Sequence, residues 1–102
     1  MIVTVFRARL KQDVGEEYYA LLAEVEAEAD AMSGFVSRKA LVAEDGERVS
    51  IVTFEDQESH NNWAKNHLHV SAKKKGRESF YSEYSLQVCE VIRENSFVEQ
   101  NR

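Results

Sequence analysis

The chain has 102 residues, which makes one domain spanning 1–102 the default. Its net charge of −5 offers no basic footprint for nucleic acid, and no apolar run approaches the roughly 18 residues of a membrane helix. A single cysteine, Cys89, excludes an internal disulfide framework, and MIVTVFRARL does not read as a signal peptide, so a cytoplasmic location is expected.

Residues 2–10 alternate, with Ile2, Thr4, Phe6, Ala8 and Leu10 on one side and Val3, Val5, Arg7 and Arg9 on the other, the pattern of a strand. Over 13–32 the period changes: Val14, Tyr18, Leu21, Leu22, Val25, Ala29 and Met32 form an apolar helical stripe. Asp13 is placed to cap that helix, with Glu16 three residues on, and Gly34 fits its end. Residues 35–43 and 48–55 read as strands joined by Glu44-Asp45-Gly46-Glu47, a hairpin signal. Asp56 can cap a second helix to about Asn66, and a further helical stretch runs from His67 to Lys75, where Gly76 can end it. Residues 81–93 form the last strand, with Tyr84, Leu86, Val88 and Ile92 on one side and Cys89 and Val91 on the other. The polar tail from Glu94 carries Phe97 and Val98, suited to packing on a partner subunit.

The order β-α-β-β-α-β predicts an α+β, ferredoxin-like fold with an antiparallel sheet. Both faces of its strands carry apolar residues, whereas a sheet with one solvated face should be polar there. Val3 and Val5 oppose Ile2 and Phe6, and Val52 and Phe54 oppose Val49 and Ile51. The expectation is a homodimer in which two sheets face each other as a dimeric α+β barrel.

The stretch from Asn62 to Arg93 places the only tryptophan, two histidines and two tyrosines close together. A stacking surface beside titratable groups is what a pocket for a small aromatic ligand needs. With this layout the chain resembles the antibiotic biosynthesis monooxygenase domain family over nearly its whole length. The resemblance is carried by Phe6-Arg7-Ala8, the Gly34-Phe35 step, the strand Ile51-Val52-Thr53-Phe54-Glu55, and Trp63 followed by His67 and His69. Ala72, Gly76-Arg77 and Phe80-Tyr81 extend it.

The resemblance implies a pocket between helices and sheet. It also implies a cofactor-independent oxygenase that oxidises anthrone- or quinol-like aromatics with dioxygen, with Asn62 and Trp63 as its polar-plus-tryptophan pair. A related branch breaks down haem with a first-strand asparagine and an axial histidine. Here those positions hold Phe6 or Arg7 and the run Lys73-Lys74-Lys75, so haem is the lesser alternative, and no cofactor is expected. A non-catalytic aromatic-binding dimer of the same fold is the other alternative.

Cofactor-free oxygenation requires an electron-rich substrate anion, so the protein must take a proton from a phenol. Histidine is the natural base. His67 and His69 are separated by about 200° on a helix and cannot share a face. His67 lies four residues after Trp63, on its face, and is favoured as the base; His69 takes the role if the backbone breaks near Leu68. The expected catalytic set is therefore His67, Asn62 and Trp63, with His69, Tyr81, Tyr84, Arg7 and Phe6 contacting substrate. Ordinary readings stand beside these: a core tryptophan, solvated histidines, packed strand tyrosines and ion-paired arginines. His67-x-His69 finds no third ligand at zinc spacing, so no metal is expected. Residues 13–32 hold only acids and 64–77 only bases. The usual meaning is two solvated faces; the basic stretch could instead draw in an anionic phenolate.

Overall fold

The computed structural model describes residues 1–100. Its elements are β1 (Ile2–Leu10), α1 (Glu16–Ala31), β2 (Phe35–Val42), β3 (Arg48–Phe54), α2 (Gln57–Ala64), α3 (His67–Lys75) and β4 (Tyr81–Glu90), with one π-helical turn, Gly76–Phe80, before β4. The four strands form one antiparallel sheet in the order β2-β3-β1-β4, the ferredoxin-like α+β arrangement.

Register decides which side chains meet. In the central strand β1, Thr4 stands beside Val52 and Val88, Phe6 beside Ser50 and Leu86, and Ala8 beside Arg48 and Tyr84. These rows face the helices. Side chains of a strand alternate between faces, so Val3, Val5 and Arg7 stand on the opposite face with Thr53, Ile51 and Val49. The hairpin between β2 and β3 closes at Asp45-Gly46, where the Ala43 amide donates to the Glu47 carbonyl at 2.8 Å and Gly46 takes φ +91°.

Two helix starts contrast. Asp56 caps α2, its carboxylate accepting from the Ser59 amide at 2.8 Å. Asp13 does not cap α1: Gly15 occupies the cap position without a side-chain bond, and Glu16 and Glu17 in the first turn meet the positive end of the helix dipole. The chain between α1 and β2 turns through Gly34 at φ +84°, where a Cβ would collide with the Ser59 side chain. That close approach seats α2 against the sheet and leaves no residue but glycine workable there.

Beyond Glu90 the last strand stops short of the expected residue 93. Its pairing with β1 begins at Ile2 opposite Glu90, and the Val91 amide donates to the Met1 carbonyl at 3.0 Å. Ile92 is accordingly off the sheet and 95% exposed, and Phe97 and Val98 are also exposed. The radius of gyration, 15.0 Å, exceeds the roughly 13 Å of a compact domain of about 100 residues, in keeping with a tail that extends away from the body.

The core centres on Ala29, Phe54 and Trp63, with Val25, Met32, Phe35 and Val52 packed around them. It sits at the end of β3 nearest α2. Val25, Ala29, Val52 and Trp63 also form part of the wall of the cavity between helices and sheet.

Candidate functional site

Between the helices and the sheet lies a cavity of about 380 Å³ with a mostly apolar wall, a size suited to a small organic ligand. Its floor is the helix-facing side of the sheet, from Thr4, Phe6 and Ala8 to Val52 and Leu86; α1 and α3 roof it. Its rim includes Val42 on one sheet edge and Leu86 and Val88 on the other, all largely exposed. A second, shallower groove between α1 and α3 is bridged by the Lys75–Glu17 ion pair at 3.1 Å and has no aromatic wall.

One end of the cavity is built from α2 and α3. Trp63 is 7% exposed in the core, and the imidazole of His69 lies against its indole with ring centroids 4.6 Å apart. His60, three residues before Trp63 and so on the same helical face, also lines the wall and meets Phe54 edge-on at 6.3 Å. The Nδ1 atoms of His60 and His69 are both buried without a hydrogen-bond partner. Burial pulls the His69 pKa below the ordinary histidine value, Lys73 and His60 push it further down, and the Ala64 carbonyl opposes them. His69 is therefore a neutral base at neutral pH.

The other end is phenolic. Phe6 contacts Tyr81 and Tyr84 with centroids 5.5 Å from each, and Tyr18 meets Phe80 at 5.3 Å and Tyr81 at 6.2 Å. The π-helical turn delivers Phe80 and Tyr81 here. Gly76 starts it, with the Tyr81 ring so close to its Cα that a Cβ would come within 2.6 Å. Burial raises the Tyr81 pKa, and the Tyr18 phenol, through charge interaction and a hydrogen bond, raises it further, so its hydroxyl stays protonated.

Of the residues expected at the site, Trp63, His69, Phe6, Tyr81 and Tyr84 line the cavity. Three do not. His67 is exposed in the first turn of α3, away from Trp63. The helix that would have aligned them is interrupted at Asn66, whose extended backbone starts α3 afresh and whose side chain accepts from the Leu68 and His69 amides at 2.9 and 3.3 Å. The break restarts the helical phase, so His69 rather than His67 comes over the indole. Asn62 is exposed on α2, outside the cavity wall. Arg7 points to the other sheet face and binds Glu47 at 2.9 Å, while Arg9 binds Asp45 at 2.8 Å and Glu83 at 3.1 Å. These are the cross-sheet ion pairs of the ordinary reading. His60, Tyr18 and Arg48 also line the cavity and were not among the residues expected there. The spacing of His60 to Trp63 was the available signal for the first, and the position of Arg48 in step with Ser50, Val52 and Phe54 for the last. Among the described residues no three His, Cys, Asp or Glu side chains gather as a metal set, and no helix is long and apolar enough to cross a membrane.

A ferredoxin-like α+β layer of this kind is shared by solved structures. Rv0793 from Mycobacterium tuberculosis superposes with a TM-score of 0.81 at 17% identity, covering 93% of this chain and 98% of that one. A putative antibiotic biosynthesis monooxygenase from Deinococcus radiodurans gives 0.83 at 7% identity, covering 97% and 100%. SnoaB, a cofactor-independent oxygenase from Streptomyces nogalater, gives 0.73 at 16% identity, covering 91% and 94%. The sequence profile described as Antibiotic biosynthesis monooxygenase matches residues 1–75, and the chain belongs to that family. The uncharacterized protein YqjZ of Bacillus subtilis (strain 168) is 29% identical over 66 residues; the match takes in 65% of this chain but only 58% of that relative's length.

Proposed function

We propose that the protein is a cofactor-independent monooxygenase that oxidises a quinol- or anthrone-like aromatic compound with dioxygen. The observation that carries this reading is the Trp63–His69 pair: a neutral imidazole with an unpartnered Nδ1, stacked on an indole in the wall of an apolar cavity. Family membership and the likeness of the fold to SnoaB support it. An aromatic substrate stacks in the cavity, and the His69 imidazole in its wall accepts the acidic proton of a phenol or anthrone. The resulting carbanion-like anion is rich enough in electrons to react with dioxygen directly. In the balanced reaction a substrate methylene becomes a carbonyl. One oxygen atom enters it, the other leaves as water with the two hydrogens lost, and the substrate itself supplies the electrons. The apolar wall excludes water, which strengthens the electrostatics of the anion beside His69.

In this reading the protein works as a homodimer in the cytoplasm. Leu41 and Ile51 stand exposed on the sheet face away from the helices, and Phe97 and Val98 stand exposed on the tail, apolar surface suited to a second copy.

The test is oxygen consumption by metal-free protein over a panel of hydroquinones and anthrones. Uptake above the spontaneous rate that falls on His69→Ala is expected. Tight quenching of Trp63 fluorescence by these compounds with no uptake would instead establish a binding protein.

A further inference from the structure

The cavity wall carries an imbalance of charge that the oxidation chemistry leaves unused. Three basic residues, Arg38, Arg48 and Lys73, line it against one carboxylate, Glu26. Glu26 is already committed, because Arg38 binds it at 2.9 Å and Asp30 at 3.0 Å. Arg7 and Arg9 are likewise paired, on the far face of the sheet. Arg48 differs from all three: among the described residues no carboxylate lies within ion-pair distance of it. Its guanidinium carbon sits 5.7 Å from the centre of the Tyr18 ring and 6.0 Å from that of Tyr19, and the residue is only part-exposed. Cation–π contact holds the group in place without neutralising it. The whole chain carries a net charge of −5, so an uncompensated cation inside its cavity runs against the general trend of the molecule.

Position along the strand fixes what such a cation can reach. Val52 packs beside Trp63 at one end of β3, and Arg48 is four residues along the same strand on the same face. At the rise of an extended strand those two positions are about 13 Å apart. A planar polycyclic body lying on the floor between them would have its reacting part at the Trp63–His69 end and its far edge at Arg48. Tyr81 also lines the cavity there, its ring 6.2 Å from that of Tyr18, over which the Arg48 guanidinium lies.

From this placement we infer that the cavity selects an aromatic ligand bearing a carboxylate, held by Arg48 at the end remote from Trp63 and His69. The inference rests on the cavity being the substrate site, and it narrows the substrate class from neutral phenols to aromatic acids. A guanidinium presents parallel N–H donors that match the two oxygens of a carboxylate, which a lysine ammonium does not. Arg48 thus sets specificity and orientation and takes no part in proton transfer.

A matched pair of probes tests it: anthraquinone-2-carboxylate and its neutral carboxamide, titrated against the fluorescence of the only tryptophan. Wild-type protein is expected to bind the carboxylate about tenfold or more tighter than the carboxamide, the span of a hydrogen-bonded charge pair. Arg48→Gln is expected to abolish that preference by weakening carboxylate binding far more than carboxamide binding. Arg48→Lys should restore only part of it, and Arg7→Gln, on the other face, should change neither affinity. Far-ultraviolet dichroism and the thermal midpoint confirm that each variant is folded. If both probes bind wild-type protein equally, or if the preference survives in Arg48→Gln, the inference is overturned while the aromatic site stands. If neither probe quenches Trp63, the site and the inference fall together.

Discussion

At one end of the cavity an indole packs on an imidazole within the buried core; at the other, a guanidinium lies over phenol rings at a part-open rim. Both ends are aromatic, and they do different work. The Trp63 end is held by burial: Ala29, Phe54 and Trp63 close on one another, and the helices carrying Trp63 and His69 are each capped by a side chain, Asp56 and Asn66. The phenolic end is held by ring contacts around Phe6, edge-on with Tyr81 and tilted with Tyr84, which is 38% exposed. The difference teaches that, if the cavity is the substrate site, the proposed base belongs to the end built on the packed core. Ligand selection falls where the wall is looser and charge can stay unpaired.

The largest test of this contrast is stability. Trp63→Ala should cost about 3–5 kcal/mol, the range for removing a buried aromatic side chain. Tyr84→Ala, at the rim, should cost about 1 kcal/mol, nearer the common range for point substitutions. Chemical denaturation compares them directly, and equal costs would erase the distinction between the two ends.

Next in size is the effect on turnover. His69→Ala should reduce oxygen uptake about a hundredfold or more, the usual contribution of a positioned base. His67→Ala, exposed in the first turn of α3, should leave it unchanged. A reversal of that order would return the base to His67 and break the assignment of the Trp63 end.

Asp56→Ala should destabilise the protein by about 1 kcal/mol through loss of the α2 cap. The cap seats the helix that carries both His60 and Trp63, so quenching of Trp63 by bound aromatics should weaken with it. A loss of stability with no change in quenching would mean that the cap is not what positions the indole.

The smallest expected effect is on pH dependence. His69 has a folded-state pKa below its unfolded value. In the window between the two values the unfolded chain binds more protons, so stability declines as pH falls through that window and is constant above it. Turnover should follow the same direction, rising from acid pH to a plateau with its midpoint below the ordinary histidine pKa. In His69→Ala both dependences should shrink, and an unchanged acid limb would assign the titration to another group.

The sequence by itself determined the alternation of β1, the Asp45-Gly46 hairpin, the Asp56 cap and the inward side of Trp63. Each depends on a local period or a local turn preference that persists wherever the segment is unbroken. It also showed that the two faces of the sheet are both partly apolar. The tertiary structure decided the rest. The break at Asn66 was legible as two helical stretches meeting there, but the phase of the restarted helix, which brings His69 rather than His67 over Trp63, was not. Strand register decided that Arg7 and Arg9 are used up by hairpin and edge carboxylates while Arg48 is left without one. No sequence period carries that information, because an ion pair depends on which distant residues a fold brings within reach.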